Sequence, residues 1–209
     1  MGKRSSWQRR QEKDPYVAEA HRLGYRSRAA FKLVQLNDRD RFLSPGAVVV
    51  DLGAAPGGWL QVARQRVGEA GRVIGIDRLP MEPVPGTELI QADFAEDEGL
   101  AELRKVLDGA RVDVVLSDMA PELSGIKVAD QARAMALCDL AVEFAREVLR
   151  PGGTLVMKVF QGEGFDELLR ALRAEYRSVA PRKPDASRGA SAEQYLVCRG
   201  FMGTAQGGN

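Results

Sequence analysis

The chain has 209 residues, 44% hydrophobic and 28% charged, a composition that suits one globular domain with a sizeable core and excludes disordered and fibrous classes. No apolar run approaches the roughly 20 residues of a membrane span, and the polar, basic start MGKRSSWQRRQEKD is not expected to act as a secretory signal. The net charge of +1 conceals basic ends around an acidic middle: residues 1–41 carry eleven Lys/Arg against five Asp/Glu, residues 170–199 seven against three, and the stretch between them twelve against twenty-one.

Residues 1–14 read as a basic, disordered tail. The segment from Pro15 to Phe42 reads as two helices broken near Gly24, the second with Ala29, Ala30, Leu33, Val34 and Leu36 on roughly one face. Ser44-Pro45-Gly46 is a turn. Beyond it the pattern alternates. AVVVDLG is a short strand, followed by a glycine-rich turn and a helix near 58–67. RVIGID and TELIQAD are the second and third strands. DEGLAELRKVLD is a helix and VDVVLSD the fourth strand. A long helix near 128–149 stops at Pro151-Gly152-Gly153, and GTLVMKVF is the fifth strand. FDELLRALRAEY is a helix, and strands near 176–181 and 194–199 close the fold. Such alternation predicts an α/β fold with a parallel sheet and helices on both faces. The domain is expected over 15–200, with 15–41 as a helical extension and 201–209 as a flexible tail.

In sheets of this kind ligands bind beyond the carboxyl ends of the strands. Asp51-Leu52-Gly53-Ala54-Ala55-Pro56-Gly57-Gly58-Trp59 ends the first strand there and opens the first helix of the alternating part. It has neither G-x-G-x-x-G nor G-x-x-x-x-G-K-[ST], and Pro56 lacks an N–H that would hold phosphate. Asp77, Asp93 and Asp118 end the second, third and fourth strands. Four carboxylates at one sheet edge favour a ligand with hydroxyl and amino donors and a positive centre over a pyrophosphate. Asp77 is placed to accept from ribose hydroxyls, Asp93 to read an adenine amino group, and Asp118 to lie nearer the reacting end. For Trp59 a ligand contact and a packing role are both open. The alternative for any one of these Asp residues is a helix cap or turn.

Two basic clusters flank this region: Arg22, Arg26 and Arg28, and Arg177, Arg182, Lys183 and Arg188. They are expected to grip phosphates of a polyanion. Tyr16, Tyr25, Phe31 and Tyr195 are read chiefly as core, with base stacking as the alternative. His21 is read as a surface or packing residue and Cys138 as core. Cys138 and Cys198 are too few for a disulfide framework and suit a reducing cytoplasm; with His21 they cannot form a usual zinc site.

DLGAAPGGW, IGID, QADF and LSDMAP together resemble the S-adenosylmethionine methyltransferase fold, and more narrowly the FtsJ/RrmJ family of rRNA 2′-O-methyltransferases. That family carries a Lys-Asp-Lys-Glu tetrad. Matching contexts are Lys32 in SRAAFKL, Asp118 in LSDMAP, Lys158 in VMKVF and Glu193 in KPDASRGASAEQYLV. The resemblance spans about residues 15–199. It implies a Rossmann-like, mostly parallel seven-stranded sheet and S-adenosylmethionine as cofactor without a metal. The cofactor would be held by Asp51, Gly53, Pro56, Gly57, Trp59, Asp77, Asp93 and Asp118. It further implies methylation of a uridine ribose in 23S rRNA of the large ribosomal subunit, by a cytoplasmic monomer. The tetrad alone does not discriminate rRNA from tRNA or an mRNA cap. A non-catalytic rRNA-binding assembly factor is the reading from another class, and the complete tetrad argues against it. Lys158 is expected either to deprotonate the hydroxyl or to steer its lone pair. Only seven of the thirty basic residues are lysines. Lysine at both basic tetrad positions therefore has a chance expectation of about one in twenty, and only lysine of the two can give up its proton.

Overall fold

The computed structural model describes residues 14–187 and 192–203. Most of the two expected tails, and Arg188, lie outside these residues, while Asp14 and Phe201 belong to ordered elements. Asp14 caps helix α1 (Pro15–Arg22), its carboxylate accepting from Tyr16 N at 3.1 Å, with Pro15 in the first turn. Gly24 takes φ +74° in the turn that follows. Helix α2 (Ala30–Asp40) buries Ala30, Leu33 and Leu36 and ends on Arg41 in the left-handed region. The aromatic rings of Tyr16 and Tyr25 pack on Phe31, with centroids 5.5 and 5.7 Å apart. These three are packing residues of the helical extension.

The alternating part follows in chain order: β1 (Val48–Leu52), α3 (Gly58–Val67), β2 (Arg72–Asp77), β3 (Glu88–Gln91), α4 (Asp97–Leu107), β4 (Val112–Ser117), α5 (Lys127–Val148), β5 (Leu149–Phe160), α6 (Phe165–Glu175), β6 (Tyr176–Arg182) and β7 (Glu193–Phe201). The seven strands form one sheet in the order β3-β2-β1-β4-β5-β7-β6. All pairs among β1 to β5 are parallel, and β7 lies antiparallel between β5 and β6. Strand order reverses between β1 and β4, which opens a crevice at their carboxyl ends.

Two apolar layers sandwich the sheet. On one face Leu33 and Leu36 of α2 and Leu60, Val62 and Ala63 of α3 pack on Val49, Val73, Val114, Val156 and Val197. On the other, Leu103 of α4, Val142 and Phe144 of α5, and Leu168 and Leu172 of α6 pack on Val50, Leu52, Ile74, Val115 and Leu155. The alternation of side chains along each strand assigns neighbours such as Val49 and Val50 to opposite layers.

Two boundaries differ from the sequence expectation. β3 ends at Gln91, so Asp93 stands two residues beyond it. β5 starts at Leu149 and runs through Pro151-Gly152-Gly153, read above as a stop; Gly152 has φ +84° and the register slips opposite Val112 and Val114. The helix does stop before this triplet, at Val148, and what differs is the early start of β5, in which the glycine pair forms an irregularity.

Candidate active site

The crevice at the switch point holds a cavity of about 600 Å³, lined by Gly53, Asp77, Asp93, Phe94, Asp118 and Met119 among others. Its size falls within the range of small-molecule sites, about 300–1,000 Å³. Gly53 sits at φ +78°, and a Cβ there would meet Met119 Cγ at 2.7 Å, so only glycine lets the loops after β1 and β4 approach this closely. Asp77, at the end of β2, accepts from Ala55 N at 2.9 Å and Leu79 N at 2.8 Å. Asp93 accepts from Ala95 N at 2.9 Å. Both carboxylates are fixed by backbone donors and keep acceptor capacity toward the cavity.

Asp51 behaves differently from its three companions. It is 1% exposed, does not line the cavity, and neither carboxyl oxygen has a partner. Burial, with Asp118 and Asp77 adding repulsion, holds its carboxyl well above the usual carboxylate range. The expectation of direct ligand contact is corrected for this residue: its carboxyl is buried in the sheet beneath the site. The Trp59 ring is likewise turned inward. Its indole N–H donates to Ala29 O at 2.8 Å and the ring packs on Tyr195, which favours the packing role for the side chain. Pro56 and Gly57 lie outside the cavity lining.

The four candidate tetrad residues converge from four elements. Lys158 of β5 donates to Asp118 O at 2.6 Å and to Asp118 Oδ1 at 3.0 Å, with 7% of its side chain exposed. Lys32 of α2 pairs with Glu193 of β7 at 2.6 Å. The two ion pairs are joined by a residue that sequence reasoning assigned to core. Tyr195 donates its hydroxyl to Asp118 Oδ1 at 2.6 Å and accepts from Lys32 Nζ at 3.1 Å. A phenol between a carboxylate and an ammonium uses both its donor and its acceptor. Burial first, then Asp118, raises the Tyr195 phenol well above its ordinary range, so the bridge stays protonated. Ser187 extends the chain of contacts by donating to Glu193 at 2.9 Å. Strand alternation was the available signal: Glu193 and Tyr195 are two apart and share a face, and Tyr195 is the direct partner of Lys158 across β5–β7.

The basic clusters are mostly committed to the protein itself. Arg26 donates to Pro56 O at 3.2 Å, to Pro83 O at 2.7 Å and to Glu82 O, bracing the loop after β1 against the loop after β2. Arg28 pairs with Asp14 and donates to Ala186 O, and Ala186 N in turn donates to Gln35 at 3.0 Å. Arg182 makes a two-pronged pair with buried Asp40, both bonds 2.7 Å. These internal acceptors take up many of the donors of the three guanidinium groups, as half-buried arginines require, and leave fewer for the phosphates expected from the sequence. Arg22 and Lys183 are exposed, and among the described residues Arg22 pairs only with Glu19 one turn away. His21 is exposed. Cys138 is buried, which pushes its thiol up to about 12, and it lies behind Lys158 with Sγ 3.5 Å from Lys158 O.

The model of the FtsJ-like methyltransferase family matches residues 25–201. The chain belongs to that family. Among its FtsJ-like relatives, the ribosomal RNA large subunit methyltransferase E of Azoarcus sp. is 57% identical over 192 residues, 92% of this chain and 94% of the relative. The protein of that name from Pseudomonas aeruginosa PAO1 is 50% identical over 197 residues, 94% of this chain and 95% of the relative. A ribosomal RNA methyltransferase structure from Plasmodium falciparum superposes with a TM-score of 0.76 at 31% identity, covering 86% of this chain and all of that one. An rRNA-methylase structure from Clostridium thermocellum shares the fold, with a TM-score of 0.56 at 19% identity over 81% of this chain and 97% of that one. This chain is therefore an α/β methyltransferase with a Rossmann-like, mostly parallel sheet. Among the described residues no helix is long and apolar enough to cross a membrane, and no group of three or more His, Cys, Asp or Glu is arranged to hold a metal.

Proposed function

We propose that this chain transfers a methyl group from S-adenosylmethionine to the ribose 2′-hydroxyl of a uridine in 23S rRNA of the large ribosomal subunit. It does so as a cytoplasmic monomer without a metal, with residues 15–200 acting as one domain. The names of its relatives support the rRNA of the large subunit as substrate. The observation that carries the chemistry is the contact chain Lys158–Asp118–Tyr195–Lys32–Glu193 at the edge of the acidic cavity.

The cavity fits the cofactor. Asp77, Asp93 and Asp118 line it, the unpartnered Asp51 lies beneath it, and Phe94 and Met119 give apolar surface. This donor set suits a molecule with hydroxyls, an amino group and a positive centre. Asp77 would take ribose hydroxyls, Asp93 the adenine amino group and Gly53 a close backbone approach. When bound, S-adenosylmethionine supplies an electrophilic methyl group.

The remaining work falls to this chain. Two of the three non-carbon positions on Lys158 Nζ are directed at Asp118, by the distances above. The third is left for the ribose hydroxyl, either to receive its proton or to donate to one of its lone pairs. Asp118 fixes Lys158 through both its backbone carbonyl and its carboxylate, and Tyr195 fixes Asp118. Lys32, held by Glu193, closes the row. Positioning of this kind contributes up to about 7–11 kcal/mol, and a well-placed base about 10²- to 10⁴-fold more. Mapping 2′-O-methylation across rRNA, tRNA and mRNA caps in cells lacking the protein tests the proposal. It predicts loss at one uridine of 23S rRNA; loss confined to tRNA or caps contradicts the substrate.

A further inference from the structure

At the opposite edge of the sheet, where β4, β5 and β6 begin and β7 ends, lies a second cavity of about 560 Å³. Four arginines from four different segments line it: Arg41, Arg150, Arg177 and Arg199. Asp113 is its one acid, and it is already satisfied, pairing with Arg150 and accepting from Val48 N at 2.7 Å. The other three guanidinium groups are exposed and make no hydrogen bond or ion pair among the described residues. Each is set in place by the backbone. Arg41 is the left-handed cap of α2, at φ 49°. Arg199 lies on β7 between Thr154 of β5 and Ser178 of β6. Arg177 lays its stem over Gly200, where a Cβ would stand 3.1 Å from Arg177 Cβ and Cδ. Three uncompensated charges held around one hollow raise each other's energy, and a polyanion relieves that repulsion.

The place of this hollow relates it to the active site. Lys32 and Arg41 lie nine residues apart along α2, roughly 13 Å at 1.5 Å per residue. Tyr195 and Arg199 lie four apart along β7, again roughly 13 Å. Partway along α2 is a smaller hollow of about 180 Å³, lined by Arg39 and Lys183 among others. That hollow is also lined by Asp185 and by Arg182, which is paired with Asp40, so among the described residues the unpaired basic charge of the larger hollow, away from the tetrad, is that of Arg41, Arg177 and Arg199.

We propose that Arg41, Arg177 and Arg199 form a second RNA contact, holding backbone phosphates roughly four nucleotide steps from the target ribose, at about 3.4 Å per stacked step. This rests on the RNA-methyltransferase reading above and assigns the RNA grip to a surface distinct from Arg26, Arg28 and Arg182. The test uses the full chain with Arg41→Gln, Arg177→Gln and Arg199→Gln combined, binding large-subunit rRNA across a salt titration. Three lost phosphate contacts lower the slope of log affinity against log salt by about 2 to 3. Between about 50 and 200 mM salt, the parent then loses roughly 20- to 40-fold more affinity than the variant. Cofactor affinity stays at the parent value, and Tm does not fall, because removing three like charges relieves their repulsion. Ser178→Glu, which sets a carboxylate beside Arg199, weakens rRNA binding on its own and decides the matter if the triple variant fails to fold. Unchanged rRNA affinity and salt slope in a folded variant overturn the second contact while leaving the methyltransferase reading intact. If the parent itself neither binds nor methylates rRNA, the substrate reading fails, and the second contact with it.

Discussion

Tyr195→Phe removes one oxygen from the centre of the site and little else. The ring is fully buried and keeps its packing on Trp59. The lost hydroxyl makes a 2.6 Å bond to Asp118 and accepts a 3.1 Å bond from Lys32. Hydrogen bonds to charged groups are worth about 1.5–3 kcal/mol each. Neither partner is orphaned, because Asp118 keeps Lys158 and Lys32 keeps Glu193. The stability loss is therefore expected at the low end, about 1–2 kcal/mol, or roughly 2–8 °C in Tm for a chain of this size. The chemical step should suffer more distinctly, because Asp118 now accepts from one side only and Lys158 is held less firmly. A tenfold to hundredfold fall in the single-turnover rate corresponds to about 1.4–2.7 kcal/mol. The assay is single-turnover methylation of large-subunit rRNA at saturating cofactor, with a thermal melt alongside. A variant with a lowered Tm but the parent rate would show the hydroxyl to be purely structural and refute this reasoning.

Arg26→Ala should weaken cofactor binding and lower Tm, measured by titration and melting, because it releases three backbone carbonyls of the loops around the cavity; Arg22→Ala should do neither. Asp51→Asn should raise Tm in a pH-dependent way. The folded-state carboxyl is raised above its unfolded value of about 3.9, so the stability contribution of Asp51 is full below that pH and is lost as pH climbs through the folded value. The Tm gain of Asp51→Asn should therefore be near zero below pH ~4 and grow above it. A gain independent of pH would contradict a buried, unpartnered carboxyl.

Much of this arrangement was legible in the sequence. Apolar runs such as VVVDL and VDVVLS fix strands buried on both faces, and acids at their ends mark the edge where a ligand binds. The Lys32, Asp118, Lys158 and Glu193 contexts carried the family. Side-chain partnership was not legible. Arg26, Arg28 and Arg182 look like a phosphate-binding set in one dimension, yet each meets a carbonyl or carboxylate brought from 30 to 158 residues away. Asp51 has the same strand-end signature as Asp77 and turns inward. Tyr195 looked like ordinary core because its hydroxyl function depends on β7 inserting antiparallel beside β5. The alternation of strands and helices predicts only the parallel part of that order. Of the basic hollow only Arg177 was legible, as part of a basic cluster, because Arg41, Arg150, Arg177 and Arg199 are scattered over 159 positions of the chain.

The central claim is that Lys158 acts on the ribose hydroxyl within an intact tetrad. Its most direct test is the single-turnover methylation of large-subunit rRNA by Lys158→Ala, with cofactor and RNA affinities measured on the same protein. Among the described residues the buried Lys158 side chain is bonded to Asp118 alone, so truncation should leave both binding steps largely intact. Near-complete loss of the methyl-transfer rate is expected, with both affinities close to the parent's. A near-normal single-turnover rate in Lys158→Ala would contradict it.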